Sequence, residues 1–394
     1  MKRFLFLLTV ICLAISSSAC SGNAGQTAGG TPGYSVAMIT DAGDITDRSF
    51  NQSTYEACKA FCTEYDIKFT YKKPNGDNAS ERISAIESAI DEGYNVIVMP
   101  GYVYGGVIAR ISKKYKDVKF LALDVSAGDI LETAVPINGG VYDYTPSNWN
   151  VSDYYYTENV YCAIYQEELC GYMAGYAAVK LGYRDLGFLG GMAVPGVMRF
   201  GYGFVQGADA AASETNEKIT LKYAYANTFE SDAEITAAMD TWYASGTDIV
   251  FSCGGGLFVS VAEAAAKADG KIIGVDVDQK DIIDGMFGEG LTVTSAMKGL
   301  YTSAYDALKE IIIDGKWEDY SGKISSLGLV SGTEPEKNYV QIPMESTQWG
   351  PYFTKEDYKA LVLDMFDGNI KVSGDISKEP ETGNISVEWL GSIK

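Results

Sequence analysis

The chain is 394 residues long, 46% hydrophobic and 21% charged, with a formal net charge of −21 and no histidine. That length holds about two globular domains, and the missing histidine excludes His-ligated metal sites and His-based catalytic triads. The charge is spread along the chain without a basic stripe, which excludes nucleic acid as a partner and favours a neutral or cationic ligand over an anionic one.

The first twenty residues read as a secretory leader: Lys2 and Arg3 form a charged n-region, Phe4 to Ile15 an apolar h-region, and Ser16 to Ala19 a small-residue segment. The h-region is too short to span a bilayer comfortably. Ser17-Ser18-Ala19-Cys20 resembles the lipobox of bacterial lipoproteins, with Ser17 where Leu is usual. The resemblance implies that residues 1–19 are removed and that Cys20 is lipidated, holding the protein at a membrane without spanning it. Residues 20–33, rich in Gly, Ala, Thr and Ser, read as a flexible tether. Beyond the leader remain Cys58, Cys62, Cys162, Cys170 and Cys253, an odd number that argues against a full disulfide framework. Cys58 and Cys62 share a helical face with Tyr55, Phe61 and Tyr65 and are expected in the core; a Cys162–Cys170 bridge stays open.

Strand and helix patterns then alternate. Short apolar runs at Ser35–Ile39, Lys68–Lys72, Asn95–Met99 and Val118–Leu123 predict strands. Ser53–Tyr65, Glu81–Glu92 and Gly105–Tyr115 carry helical periodicity between and after them. Asp143 to Asn159, rich in Tyr, Asn and Ser, breaks the rhythm and reads as an inserted surface loop, with a lid over a cleft as the other reading. The alternation resumes with helix Gln166–Leu181, strand Leu186–Leu189, helix Gly201–Ala212, strand Ile219–Ala226, helix Asp232–Ala244, strand Asp248–Ser252, helix Phe258–Ala268 and strand Lys271–Val275. A strand at Leu291–Ala296, a helix at Lys298–Ile313 and a mixed tail follow. Two such series predict two α/β lobes with parallel sheets, and so late a helix suggests a return to the first lobe.

The polar residues of interest fall at strand ends, where open α/β sheets bind ligands. Asp41, Asp124 and Asp276 each follow a strand, and Asp41 opens a loop leading to Phe50 and Asn51 at a helix start. Gly254-Gly255-Gly256 follows another strand and would let backbone approach a ligand. There is no Gly-Lys-Ser/Thr, and Gly201 to Gly207 misses the dinucleotide spacing, so both nucleotide-enzyme motifs fail and no cofactor or metal is expected.

Asp41 to Gln52, Gly187 to Gly191 with Val194 to Gly207, Ile273 to Gln279, and Thr294 to Lys298 together resemble the basic membrane protein family, bacterial substrate-binding lipoproteins that include purine nucleoside receptors of ABC importers. The blocks occur in family order across most of the mature chain. The resemblance implies a type I periplasmic-binding-protein fold: two doubly wound lobes joined by three crossovers, residues 34–164 plus 277–323 forming the N-terminal lobe and 165–276 plus 324–394 the C-terminal lobe. It further implies that Phe50 and Phe200 sandwich a base, with Phe204 competing for the second ring. Asn51 and Asp124 would bind base edges, and Asp276, Lys298 and backbone near Gly254 the sugar hydroxyls. The expected protein is a lipid-anchored monomer that hands a purine nucleoside to an ABC permease. A sugar-binding or sensor lipoprotein of the same fold is the alternative; a nucleoside hydrolase is disfavoured because no loop carries a dense Asp run.

Overall fold

The computed structural model describes residues 33–41 and 43–393. The leader, Cys20 and all but the last residue of the expected tether lie outside them.

The chain alternates through β1 (Ser35–Ile39), α1 (Phe50–Glu64), β2 (Lys68–Lys72), α2 (Ala79–Asp91), β3 (Val96–Pro100), α3 (Tyr104–Ile111), β4 (Lys119–Leu123), α4 (Ala127–Ile137) and β5 (Val160–Tyr165). A second series runs α5 (Glu167–Lys180), β6 (Asp185–Gly190), α6 (Pro195–Thr215), β7 (Ile219–Tyr225), α7 (Ala233–Ala244), β8 (Ile249–Cys253), α8 (Phe258–Ala268), β9 (Lys271–Asp276), α9 (Lys280–Phe287) and β10 (Thr292–Lys298). The chain then returns through α10 (Leu300–Ile312), α11 (Trp317–Tyr320) and β11 (Ile324–Leu327), and ends in β12 (Val340–Gln341), α12 (Lys355–Phe366) and β13 (Ile385–Ser392).

Two sheets result, ordered β11-β5-β4-β3-β1-β2 and β12-β10-β9-β8-β6-β7-β13. Every strand pair is parallel except β10 with β12. Val36 to Ile39 and Val96 to Met99 are buried without alternation, because helices cover both faces of a parallel sheet. The chain passes between lobes three times, after β5, after β10 and after β11. This is the expected α/β type I architecture, and α10 does return to the first lobe: Ala304, Ala307, Leu308 and Ile311 share a core with Val36, Met38 and Phe61.

Several expectations need correction. β10 hydrogen-bonds along β9, so the crossing falls after Lys298, not after Asp276, and residues 277–298 belong to the second lobe. β11 pairs with β5, which carries the first lobe's last segment to Leu327 instead of residue 323. Lys298 ends a strand, and the helix expected from it begins at Leu300. α6 begins at Pro195, well before Gly201, because proline's fixed φ and missing N–H suit the first helical turn. α4 and β5 were not expected as elements. Cys162 and Cys170 are both free and buried, as are Cys58, Cys62 and Cys253.

The Tyr-rich stretch folds as three short 3-10 turns on the first lobe. Its Trp149 packs against Tyr154 and against Tyr142 just before the stretch, and Tyr155 Oη donates to the Gly322 carbonyl. None of residues 143–159 reaches the cleft between the lobes.

α5 and α6 lie backbone to backbone. A Cβ on Gly171 would stand 2.2 Å from the Phe200 carbonyl oxygen, one on Gly175 2.1 Å from that of Phe204, and one on Gly203 2.1 Å from that of Glu168. Small residues one turn apart on both helices permit this approach, and it brings the start of α5 beside the second turn of α6.

Candidate functional site

The β1–α1 loop is organised by two carboxylates. Asp47 accepts from the backbone N–H groups of Ser49 (3.0 Å), Asn51 (2.8 Å) and Gln52 (3.0 Å), satisfying the open first turn of α1. Asn51 Nδ2 donates to Asp41 Oδ1 and to Asp47 Oδ2, each at 3.0 Å, and its Oδ1 accepts from the Asp41 N–H at 3.3 Å. The Asn51 carboxamide therefore shapes the loop, with both of its N–H groups given to protein carboxylates. Asp47 thus both caps the helix and fixes Asn51.

At the same carboxyl edge, two strands along the first sheet, Asp124 follows β4 with φ of 66°, and its N–H donates to the Ala163 carbonyl. Asp276, the last residue of β9, has φ of 65°. Left-handed backbone at a non-glycine residue is costly and concentrates at functional sites. Lys298, at the end of β10, is buried with Nζ 2.8 Å from Asp124 Oδ2 and 3.1 Å from Glu167 Oε1. Arg199 Nε, on α6, stands 2.6 Å from the other Glu167 oxygen. The close packing of α5 on α6 sets this last pair. Glu167 and Arg199 were not anticipated, and no local motif marks them.

Burial opposes ionisation of Glu167, but Arg199 and Lys298 outweigh it and pull its carboxyl well below the usual range. Asp124 is the weaker acid of the two: burial raises it, Lys298 and Arg199 pull it down, and Glu167 raises it further. Asp124 Oδ1 is buried without a hydrogen-bond partner. Burial raises Asp276 as well, against Lys298 and the Ser49 hydroxyl, which donates to its Oδ2 at 2.6 Å. Lys298 stays charged despite burial because of Asp124, Glu167 and Asp276.

Aromatic rings flank this charge cluster. Lys298 Nζ lies 5.0 Å from the Phe50 ring centroid and 5.6 Å from that of Phe200, within cation–π range of both. Phe50 comes from the first lobe and Phe200 from the second. Phe204 is fully buried against Phe188 and Phe251 and does not line the cleft. A third ring, Phe229 on the β7–α7 loop, was missed. It lies over Gly191 and Gly254, where added Cβ atoms would approach its Cδ1 to 2.3 and 2.8 Å. Gly254 (φ 152°) thus makes room for Phe229 as well as lining the cleft.

Asp41, Phe50, Asn51, Asp124, Phe200, Gly254, Asp276 and Lys298 all line one cleft of about 340 Å³, a size in the range of small-molecule pockets. The lining contains six carboxylates (Asp41, Asp47, Asp77, Asp124, Glu230 and Asp276) and two cations, Arg82 and Lys298. Such a field disfavours anions and suits a ligand that donates hydrogen bonds. Cys20, the expected lipidation site, is outside the described residues.

Residues 34–333 match the Bmp family, described as ABC transporter substrate-binding protein, PnrA-like. The chain is 28% identical to the ABC transporter nucleoside-binding protein BmpA of Lactococcus lactis subsp. cremoris, over 71% of this chain and 75% of that one. It is 26% identical to Basic membrane protein B of Borreliella afzelii, over 82% and 86% of the two chains. Among solved structures, an ABC transporter solute-binding protein from Aeropyrum pernix K1 superposes with a TM-score of 0.62 at 18% identity, covering 86% of this chain and 87% of its own. The arabinose-binding component of an ABC transporter from Shewanella sp. ANA-3 superposes with a TM-score of 0.53 at 16% identity, over 85% and 97%.

Proposed function

Because the chain belongs to the Bmp family of ABC transporter substrate-binding proteins, we propose that it is a lipid-anchored extracytoplasmic receptor, acting as a monomer, that captures a purine nucleoside and delivers it to an ABC permease. The observation that carries this reading is the pairing of Phe50 and Phe200, one from each lobe, around a cleft whose inner wall is Asp124, Asp276 and Lys298. Two ring faces suit a flat base, and stacking is tolerant of base identity. The buried unpartnered oxygen of Asp124 suits a base N–H, and Asp276 a sugar hydroxyl. The excess of carboxylates favours the uncharged nucleoside over its phosphate esters. The nucleoside-binding relative in Lactococcus supports the same ligand class, and relatives named as lipoproteins support anchoring through Cys20.

Closure of two lobes on a ligand requires no chemical step, and the closed form is what a permease would recognise. The reading is tested by thermal melting of the mature protein with inosine, guanosine, adenosine and free ribose. Nucleosides are expected to raise the melting temperature and ribose to leave it unchanged. A shift with pentoses and none with nucleosides would sink the assignment.

A further inference from the structure

Ser49 occupies the N-cap position of α1, yet its side chain makes no capping bond. Asp47 already takes the N–H groups of Ser49, Asn51 and Gln52, so the Ser49 hydroxyl has no local task. It reaches across the cleft instead and donates to Asp276 Oδ2 at 2.6 Å, a buried contact between residues on opposite lobes. Next to it, Gln279 Nε2 donates to the Arg48 carbonyl at 3.2 Å. Gln279 is rigidly held: its Oε1 accepts from the Val275 N–H at 2.9 Å, and its own N–H donates to Ser295 Oγ at 3.1 Å. The Arg48 guanidinium also meets Met286 on α9. The β1–α1 loop of one lobe is thus seated on the β9–α9 loop of the other entirely through protein groups.

We infer that Ser49 is a positioning residue: it latches the lobes through Asp276 without a ligand, and it commits Oδ2 of that carboxylate so that Oδ1 is the oxygen offered to a ligand hydroxyl. Among the described residues no hydrogen bond reaches Oδ1. The left-handed backbone at Asp276 (φ 65°) is consistent with a side chain held for a purpose. The charged groups around this carboxylate are Lys298 on β10, Asp47 on the β1–α1 loop and Glu167 on α5. With Lys298, and against burial, Asp47 and Glu167, the Ser49 hydroxyl bond helps keep the carboxylate ionised. Its loss would raise the pH at which Asp276 takes up a proton and ceases to be a charged acceptor.

The latch itself is independent of what the cleft binds; the assignment of Oδ1 rests on the nucleoside reading. The experiment therefore has a ligand-free arm. Nitroxides on Lys59→Cys and Asp281→Cys, one on each side of the cleft, report the interlobe distance by pulsed electron resonance. The ligand-free protein should show a short-distance population that Ser49→Ala loses and Ser49→Thr keeps. In the second arm, inosine should leave Ser49→Ala about tenfold faster than wild type, as expected for one hydrogen bond to a charged group. The acid limb of its affinity should move to higher pH, with Ser49→Thr restoring both. A Ser49→Ala protein with wild-type distances and a wild-type pH limb overturns the inference. Failure of every nucleoside to bind would overturn the ligand reading, and the ligand-free distances would still decide the latch.

Discussion

Asp124 and Asp276 occupy corresponding places in the two lobes: each sits at the carboxyl end of a sheet strand, each has left-handed backbone (φ 66° and 65°), and both feel the charge of Lys298. One ammonium group thereby serves carboxylates from both lobes, at the end of the strand from which the chain crosses back. The arrangement is a charge hub at the floor of the cleft.

Removing the cation tests that hub. Lys298→Met leaves Asp124 and Glu167 buried without their shared partner, a change that costs roughly 3–5 kcal/mol in comparable buried pairs. We expect a large drop in urea midpoint with an unchanged m-value, together with loss of nucleoside binding by calorimetry. A variant with wild-type stability at pH 7 would show that Arg199 alone compensates the cluster.

The two kinds of phenylalanine should separate binding from folding. Phe50→Ala removes a ring at the cleft, and a base–aromatic stack is worth about 1–3 kcal/mol. Inosine affinity should fall by roughly 5- to 150-fold with little change in melting temperature. Phe204→Ala, in the core against Phe188 and Phe251, should do the reverse and cost about 3–5 kcal/mol of stability. Calorimetry and denaturant melts on both proteins check the pair.

Glu168 gives the protein a pH dependence of defined sign. Burial pushes its carboxyl up from the ordinary 4.5 to about 7, and its Oε2 has no hydrogen-bond partner. Between those values the folded protein keeps a proton that the unfolded chain releases, so this group's contribution lowers stability as pH rises from 4.5 to about 7 and stays level above. Glu168→Gln should remove the loss, stabilising the protein by up to about 3 kcal/mol at pH 8 and hardly at all at pH 4. Glu167 acts oppositely: its depressed carboxyl contributes stability that is lost as pH falls below the normal glutamate range. Melts across pH 2–8 on wild type and Glu168→Gln separate the two: the variant should lose the decline between 4.5 and about 7 and keep the acid limb below it.

Gly254→Ala tests the seat of Phe229. The new Cβ would lie 2.8 Å from the ring at a residue with φ of 152°, so the ring must move and the backbone is strained by about 1–3 kcal/mol. Nucleoside affinity should fall along with stability. Loss of stability with unchanged affinity would remove Phe229 from the binding surface.

Much of this was legible in the chain. Uninterrupted apolar runs such as Val36–Ile39 and Val96–Met99 announce strands covered on both faces, and an acidic residue closing a run marks a sheet's ligand-binding edge, which is how Asp41, Asp124 and Asp276 could be picked out. Such signals are local, arising from periodicity and from what a strand end must do. The partners of those residues are not local. Nothing near Glu167 or Arg199 marks them; they meet because glycines on α5 and α6 let two backbones touch. Ser49 looks like a helix cap until Asp47 takes that role and Asp276 arrives from 227 residues away. Lobe membership of residues 277–298 likewise rests on hydrogen bonds between β10 and β9, which no pattern within β10 encodes. Periodicity records which face of an element is buried, whereas which charges meet across a cleft depends on how the two lobes are brought together by three crossings of the chain.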